Sequence, residues 1–295
     1  MIDYDPDKWR DHLFDIHGSM VREIAARVAT VVGWSVLVVV LSRIGPVYTL
    51  PLTLHSLVGL ALSMLLVFRT NASYDRFWEG RRLWGALIND CRNLARSIRV
   101  ILADDPDRVA ELLGWISAYP YAVMNRLRGS THLGPAESRL PAAVLQQVRA
   151  TDHVPLAITI RMSQLLDESR RAGQFSDIVY TNLDTIVQRL IDIVGGCERI
   201  HSTPLPYVYV VHLRRCLILY CYALPLALVE TYGWATVAAT LVVAYTFFGI
   251  EEIGVEIEDP FGNDVNDLPL DRYCDRIGEN VANVLAAYQA DDATV

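Results

Sequence analysis

A long uncharged run that passes directly into a polar segment decides the fold of this chain. Residues 44–68 read IGPVYTLPLTLHSLVGLALSMLLVF and contain no Asp, Glu, Lys or Arg, whereas residues 69–82 read RTNASYDRFWEGRR. About 20 apolar residues in a helix cross the roughly 30 Å hydrocarbon layer of a bilayer, so the run suffices even if Pro46 and Pro51 delay its helix. The sequence therefore predicts a membrane-spanning helix that continues into the cytoplasm.

Other apolar runs are also long enough to cross a bilayer. The expected spans lie at about residues 22–43, 50–70, 207–229 and 231–251. Arginines gather at one end of these spans, and the positive-inside rule then places both termini in the cytoplasm, with Arg43 as an exception on the outer side. We therefore expect a polytopic protein of the cell inner membrane that contacts membrane lipid through these helices.

The remaining residues, about 71–204 and 252–295, carry helical periodicity and no strand-like alternation. Helices are predicted at about 69–102, 107–127, 140–150, 155–171, 177–194 and 270–288. Pro120 and the pair Gly195 and Gly196 are expected to interrupt them, and Pro225 to break the third span. The predicted fold class is an all-α membrane protein with four transmembrane helices per subunit and a helical cytosolic part, organised as a single domain over residues 1–295.

Composition excludes several classes of function. Apolar residues make up 52% of the 295-residue chain, which is high for a soluble protein. The net charge of −8 comes without a basic patch and argues against nucleic-acid binding. The sequence lacks the HExxH, GxSxG, Walker and GxGxxG motifs, so neither an enzyme nor a cofactor is expected. Five cysteines without paired spacing predict buried thiols rather than a disulfide framework or a metal site.

An acidic group follows the fourth span. Its members are Glu251, Glu252, Glu256, Glu258 and Asp259. Calcium binding is one interpretation, but Phe261 stands where an EF-hand loop would supply its third-position oxygen. A solvated or arginine-paired face is favoured, because acidic clusters need pairing more often than they bind metal.

The second span carries an apolar stripe. Leu60, Met64 and Phe68 recur every four residues and project from nearly one side of a helix. On a membrane helix such a stripe usually packs on neighbouring helices or meets lipid. If symmetry copies of the helix surround an axis, the same stripe forms hydrophobic rings that gate by dewetting.

Segments along nearly the whole chain resemble one family. Residues 68–85, FRTNASYDRFWEGRRLWG, are similar to the signature of the prokaryotic bestrophins. Further similar segments are LFDIHGS at 13–19, GGCER at 195–199, TPLPY at 203–207, EDPFGND at 258–264 and NDLPL at 266–270. Together these motifs form a specific set.

The resemblance implies a homopentameric ion channel with a pore along its five-fold axis. In bacterial bestrophins three residues of the second span line a narrow neck, and these positions carry over to Leu60, Met64 and Phe68. A second, cytosolic aperture is formed by the Ile of a Ser-Asp-Ile sequence, here Ile178. Leu60 and Met64 stand where the family usually has Ile, so we expect an apolar but softer neck, because Met is unbranched and polarizable.

The resemblance leaves the sign of the permeant ion open, since animal bestrophins resemble chloride channels and bacterial members look like channels for monovalent cations. We favour passive conduction of monovalent cations such as sodium, because Asp177 beside Ile178 would form a ring of five carboxylates, and such rings concentrate cations. Asp177 is equally suited to begin the helix at 177–194.

Three alternatives to a cation channel remain. The first is a chloride or other anion channel of the bestrophin type, and the second is a non-conducting membrane scaffold. The third, a secondary transporter, would need a second interrupted span. The animal calcium clasp uses a consecutive acidic run, which Pro260, Phe261 and Gly262 interrupt here, so no metal site is expected.

Overall fold

The computed structural model of the protein describes residues 18–292, with side chains as far as residue 286. Within this range the chain is helical and contains no strand. Residues 13–17 of the N-terminal family motif lie outside the described residues. The all-α prediction is therefore confirmed for the part of the chain that can be described.

The helices of residues 18–292 follow one another with short connections, except for the longer stretch at residues 257–269. They are α1 (Val21–Ile44), α2 (Leu52–Ile101), α3 (Pro106–Arg128), α4 (Ala142–Arg149), α5 (Val154–Arg171), α6 (Asp177–Ser202), α7 (Tyr207–Tyr232), α8 (Ala235–Glu256) and α9 (Leu270–Asp292), and a 3₁₀ helix, Pro135–Arg139, precedes α4. Among them α1, α2, α7 and α8 are long and apolar enough to cross a membrane. The prediction of four spans is thus confirmed.

Helix α2 joins the second span to the polar helix after it. It contains 50 residues, which at 1.5 Å per residue makes it about 75 Å long. Its apolar window and its polar remainder form one uninterrupted helix, as the sequence predicts. Because this length is more than twice the hydrocarbon layer, a membrane-spanning α2 must project well beyond the bilayer.

Three expected interruptions are wrong. Pro120 lies inside α3 and Pro225 inside α7, while Gly195 and Gly196 lie inside α6. A proline in a helix removes one backbone hydrogen bond, and tertiary packing around the two buried prolines outweighs that loss. Gly196 allows a close approach, since a Cβ added there would lie 2.9 Å from Leu83 Cδ1.

The described chain divides into two compact units. The first contains α1, α2 up to Phe77, α7 and α8. Its core is formed by apolar side chains of all four helices, namely Ile24, Val28, Val31, Leu62, Leu66, Leu213, Leu217, Cys221, Ala244 and Phe248. These side chains fix which face of each helix turns inward.

The second unit contains α2 from Trp78 onward, α3 to α6 and α9. Large side chains such as Trp84, Trp115 and Tyr119 are fully buried there, and the Tyr119 hydroxyl donates to the Leu190 carbonyl at 2.8 Å. The buried thiol of Cys197 also lies in this unit, and burial raises its pKa to about 12. This thiol therefore stays protonated and acts as a small apolar group.

Gly195 and Gly196 offer a matched pair for testing the packing of α6. Gly195→Ala should raise the stability by up to about 1 kcal/mol, because Ala has the higher helix propensity and an added Cβ meets nothing within 4 Å. Gly196→Ala should gain less or lose stability, because Leu83 must move. The thermal midpoints of both purified variants measure the difference, and equal midpoints would contradict the close approach.

Candidate functional site

The predicted neck residues lie on one exposed face of α2. The exposed fractions of Leu60, Met64 and Phe68 are 65%, 55% and 61%. On the opposite face Leu62 and Leu66 are each only 2% exposed and belong to the core of the first unit. The structure therefore brings the three residues onto one side of the helix and leaves that side without packing inside the chain.

A buried arginine follows Phe68 directly. Arg69 is only 1% exposed. Its Nη1 lies 3.4 Å from Glu258 Oε2 and 3.3 Å from Ser73 Oγ, and its Nη2 lies 3.8 Å from Glu251 Oε1. The backbone of Gly254 faces the guanidinium closely, since a Cβ there would lie 3.5 Å from Nη1.

Glu251 is the shared acceptor of this cluster. Besides its contact with Arg69, it accepts a hydrogen bond from Arg214 Nε at 2.8 Å and lies 3.6 Å from Arg27 Nη1. The same Arg27 Nη1 lies 2.7 Å from Glu252 Oε2. Three arginines from α1, α2 and α7 therefore converge on two neighbouring carboxylates near the end of α8.

Glu258 completes the charge balance of the cluster. Its Oε1 accepts from the Leu205 backbone N–H at 2.9 Å, and its carbonyl accepts from Arg76 Nε at 2.9 Å. The prediction of an arginine-paired acidic face is confirmed for Glu251, Glu252 and Glu258. Among the described residues no group of three or more His, Cys, Asp or Glu is arranged to hold a metal ion.

The cluster fixes the rotation of α2 about its own axis. Breaking a buried ion pair by removing one partner costs about 3–5 kcal/mol, because the remaining charge stays buried without compensation. A turn of α2 that exposed Arg69 would take the guanidinium away from Glu258 and leave Glu251 to Arg214 and Arg27. The guanidinium therefore holds the helix so that the stripe ending at Phe68 points away from the core.

The other predicted site residues, Asp177 and Ile178, lie in the second unit at the start of α6. Ser176 is the N-cap, and its Oγ accepts from the Val179 backbone N–H at 3.5 Å. Asp177 follows in the first turn with a side chain that is 85% exposed, and Ile178 is 75% exposed. Helix capping is thus performed by Ser176, which leaves the Asp177 carboxylate available for another contact.

Arg170, at the end of α5, supplies that contact. Its Nη1 lies 2.9 Å from Asp177 Oδ1, and its Nη2 lies 2.7 Å from Asp167 Oδ1. The hydrogen bond from Arg170 holds the pKa of the Asp167 carboxyl below its usual value. The sequence analysis did not predict this ion pair. Its only signal in the sequence is that Arg170 and Arg171 stand seven and six residues before Asp177, with a glycine turn between them.

Arg69 can be tested by a substitution that keeps its length but removes its charge. Arg69→Met should destabilise the protein by about 1–3 kcal/mol, because Glu258 would lose its guanidinium partner while Glu251 keeps Arg214 and Arg27. Arg82→Met, at an exposed position of the same helix, should change the stability by less than about 0.5 kcal/mol. Thermal unfolding in detergent measures both, and equal midpoints would show that the buried cluster does not hold α2.

Comparison with known proteins yields consistent matches over nearly the whole chain. The sequence model described as Bacterial/Fungal Bestrophin protein matches residues 1–283. The voltage-dependent anion channel-forming protein sll1024 of Synechocystis sp. is 35% identical over 95% of this chain and 92% of its own length. YneE of Escherichia coli K12, with the same descriptive name, is 33% identical over 91% and 89%.

Solved structures agree with these sequence matches. A crystal structure of a bacterial bestrophin homologue from Klebsiella pneumoniae gives a TM-score of 0.83 at 30% identity, covering 89% of this chain and 98% of that chain. A bestrophin homologue from the same organism that carries a Tyr-to-Ala mutation gives a TM-score of 0.85 at 29% identity. A four-span helical membrane protein with these matches belongs to the bacterial and fungal bestrophin family.

Proposed function

We propose that five copies of this chain form an ion channel in the cell inner membrane, with both termini in the cytoplasm. The observation that carries the proposal is the exposed apolar stripe of α2 beside the buried guanidinium of Arg69. The relatives support it, because their names describe channel-forming proteins and no enzymatic activity. Residues of about 71–204 and 252–295 would form the cytosolic part, and the spans would contact lipid.

In the proposed pentamer, Leu60, Met64 and Phe68 form three stacked apolar rings. Rings of apolar side chains gate a pore by dewetting, because a narrow apolar passage does not hold water. A ring of Met64 is softer than a ring of a β-branched residue, because Met is unbranched and has three rotatable bonds. Ile178 would form a second constriction at the cytosolic mouth.

The sign of the permeant ion is the finer part of the proposal. The preference for sodium that the sequence suggested rests on Asp177 acting as a free carboxylate. Arg170 compensates that charge at 2.9 Å, and the N-terminus of α6 adds the positive end of a helix dipole. Together with the names of the relatives, these features lead us to propose anion conduction, with chloride as the simplest ion to test.

Cation conduction remains the second candidate. The observation that favours it is the 85% exposure of the Asp177 side chain, which would place carboxylates along the path of the ion. A non-conducting scaffold is the candidate from another class, because the same stripe would be closed by packing between subunits.

Reconstitution in planar bilayers under a salt gradient separates these candidates. We expect current whose reversal potential lies toward the equilibrium potential of chloride. A reversal potential toward that of sodium would favour the cation channel instead. The absence of current, with bilayers that lack protein and a known channel as controls, would contradict the channel proposal and favour the scaffold.

Single-channel recording tests whether Met64 lines the neck. Met64→Ala should raise the unitary conductance, because it widens an apolar ring, and Met64→Ile should lower it, because a β-branched side chain adapts less. Leu219→Ala is the control, since Leu219 is an apolar residue on α7 that is also exposed, at 70% against 55% for Met64. An unchanged conductance in both Met64 variants would remove Met64 from the pore.

A further inference from the structure

Four charged side chains form a connected cluster where α5 ends and α6 begins. They are Asp167, Arg170, Arg171 and Asp177, and their formal charges sum to zero. Arg171 Nη2 lies 2.7 Å from Asp167 Oδ2, whereas Arg170 contacts both carboxylates. Within this cluster only Arg170 contacts Asp177, the residue beside Ile178.

Contacts around Arg170 hold its guanidinium in a defined place. Its Nε donates to Asp167 Oδ1 at 3.0 Å, in addition to the bond from Nη2. The guanidinium carbon lies 5.5 Å from the centre of the Tyr180 ring, one turn into α6, which is within the range of a cation–π contact. The positive charge is thus fixed by α5 on one side and by α6 on the other.

The turn between the two helices is also held. Gly173 adopts a positive φ of 78°, which a residue without a Cβ tolerates best. The Gln174 backbone N–H donates to the Ser169 carbonyl at 3.1 Å, and its side-chain amide donates to Asp105 Oδ2 at 2.8 Å. Gln174 therefore ties the turn to the end of α5 and to Asp105, which restricts how far Arg170 and Asp177 can move apart.

An exposed ion pair of this kind adds little to the stability of a protein. The positive charge of Arg170 nevertheless strongly reduces the electric field of the Asp177 carboxylate. A carboxylate with an opposite charge 2.9 Å away acts on a passing ion as a dipole, whose field falls off faster than that of a single charge. Tyr180 also lies near the carboxylates of Asp184 and Asp167, and Asp184 Oδ1 accepts from the Ser163 hydroxyl at 2.8 Å. The charge of Arg170 therefore decides whether Asp177 acts on ions as a free anion.

We propose that Arg170 determines the charge selectivity of the aperture at Ile178 by neutralising Asp177. This inference rests on the proposed channel function and adds to it the residue that sets the sign of the permeant ion. In a pentamer, loss of Arg170 would leave one uncompensated negative charge per subunit at the aperture. Loss of Asp177 would leave one uncompensated positive charge instead.

Reversal potentials of charge-neutralising variants under a salt gradient test the proposal. We expect Arg170→Gln to raise the permeability ratio of sodium to chloride by roughly threefold to tenfold, because an uncompensated carboxylate ring concentrates cations. Asp177→Asn should lower the ratio, and the double variant should return close to the wild-type value. Arg170→Lys, which keeps the charge, should remain near wild type.

Arg171→Gln is the matched control. It removes the same charge from the adjacent position, but Arg171 contacts Asp167 and its side chain is 73% exposed. Its effect on the reversal potential should be clearly smaller than that of Arg170→Gln. The shift in Arg170→Gln should also increase when the salt is diluted, because the Debye length grows, and a purely structural defect would not produce this dependence.

The outcomes distinguish the inference from the function on which it depends. If the wild type conducts but Arg170→Gln and Arg171→Gln shift the reversal potential equally or not at all, the role of Arg170 is overturned and the channel proposal stands. Absence of current in the wild type would overturn the channel proposal and this inference with it. If Arg170→Gln does not fold, as judged by size-exclusion chromatography, an unchanged reversal potential in Asp177→Asn overturns the inference equally.

Discussion

The burial of Arg69 constrains the part of the structure on which the proposed function depends. A guanidinium that is 1% exposed needs anionic partners, because burying an uncompensated charge is costly. Glu251 and Glu258 supply them, and Arg27 and Arg214 balance the remaining negative charge. Buried ion pairs are often weak sources of stability, but they define one arrangement of helices over others. Here the arrangement defined is the rotation of α2, and Phe68 is the next residue along the chain.

This constraint explains why an apolar stripe remains exposed on a helix that has a well-packed core on its other side. Hydrophobic burial alone does not fix the rotation of α2, because Leu60 and Met64 are as apolar as Leu62 and Leu66. A rotation that exchanged the two pairs would bury a similar apolar area. It would also move Arg69 out of reach of Glu251, and the charge cluster therefore decides which pair lies in the core.

Local sequence patterns predicted the spans, the length of α2 and the helical character of the rest. They failed at Pro120, Pro225 and Gly196, because each is held inside a helix by packing that no local pattern records. The pairing of the acidic face was predicted, but its arginine partners could not be identified, since Arg27 and Glu252 are 225 residues apart. The stripe at Leu60, Met64 and Phe68 was visible as a period, but the same period fits contact with lipid. Its assignment to a pore came from the family resemblance.

Charge selectivity and gating have separate physical origins in the proposed channel. The rings of α2 are apolar and carry no charge, so they control whether water and ions pass but not which sign of ion passes. The net charge of the chain, −8, is also a poor guide, because many carboxylates are paired with arginines and their fields cancel within a few ångströms. The sign of the permeant ion must then be set by the few charges along the ion path that are not fully neutralised or whose neutralisation depends on a single partner. The pair of Arg170 and Asp177 is of this kind, because both side chains are accessible to solvent and a single substitution changes the balance by one full charge per subunit.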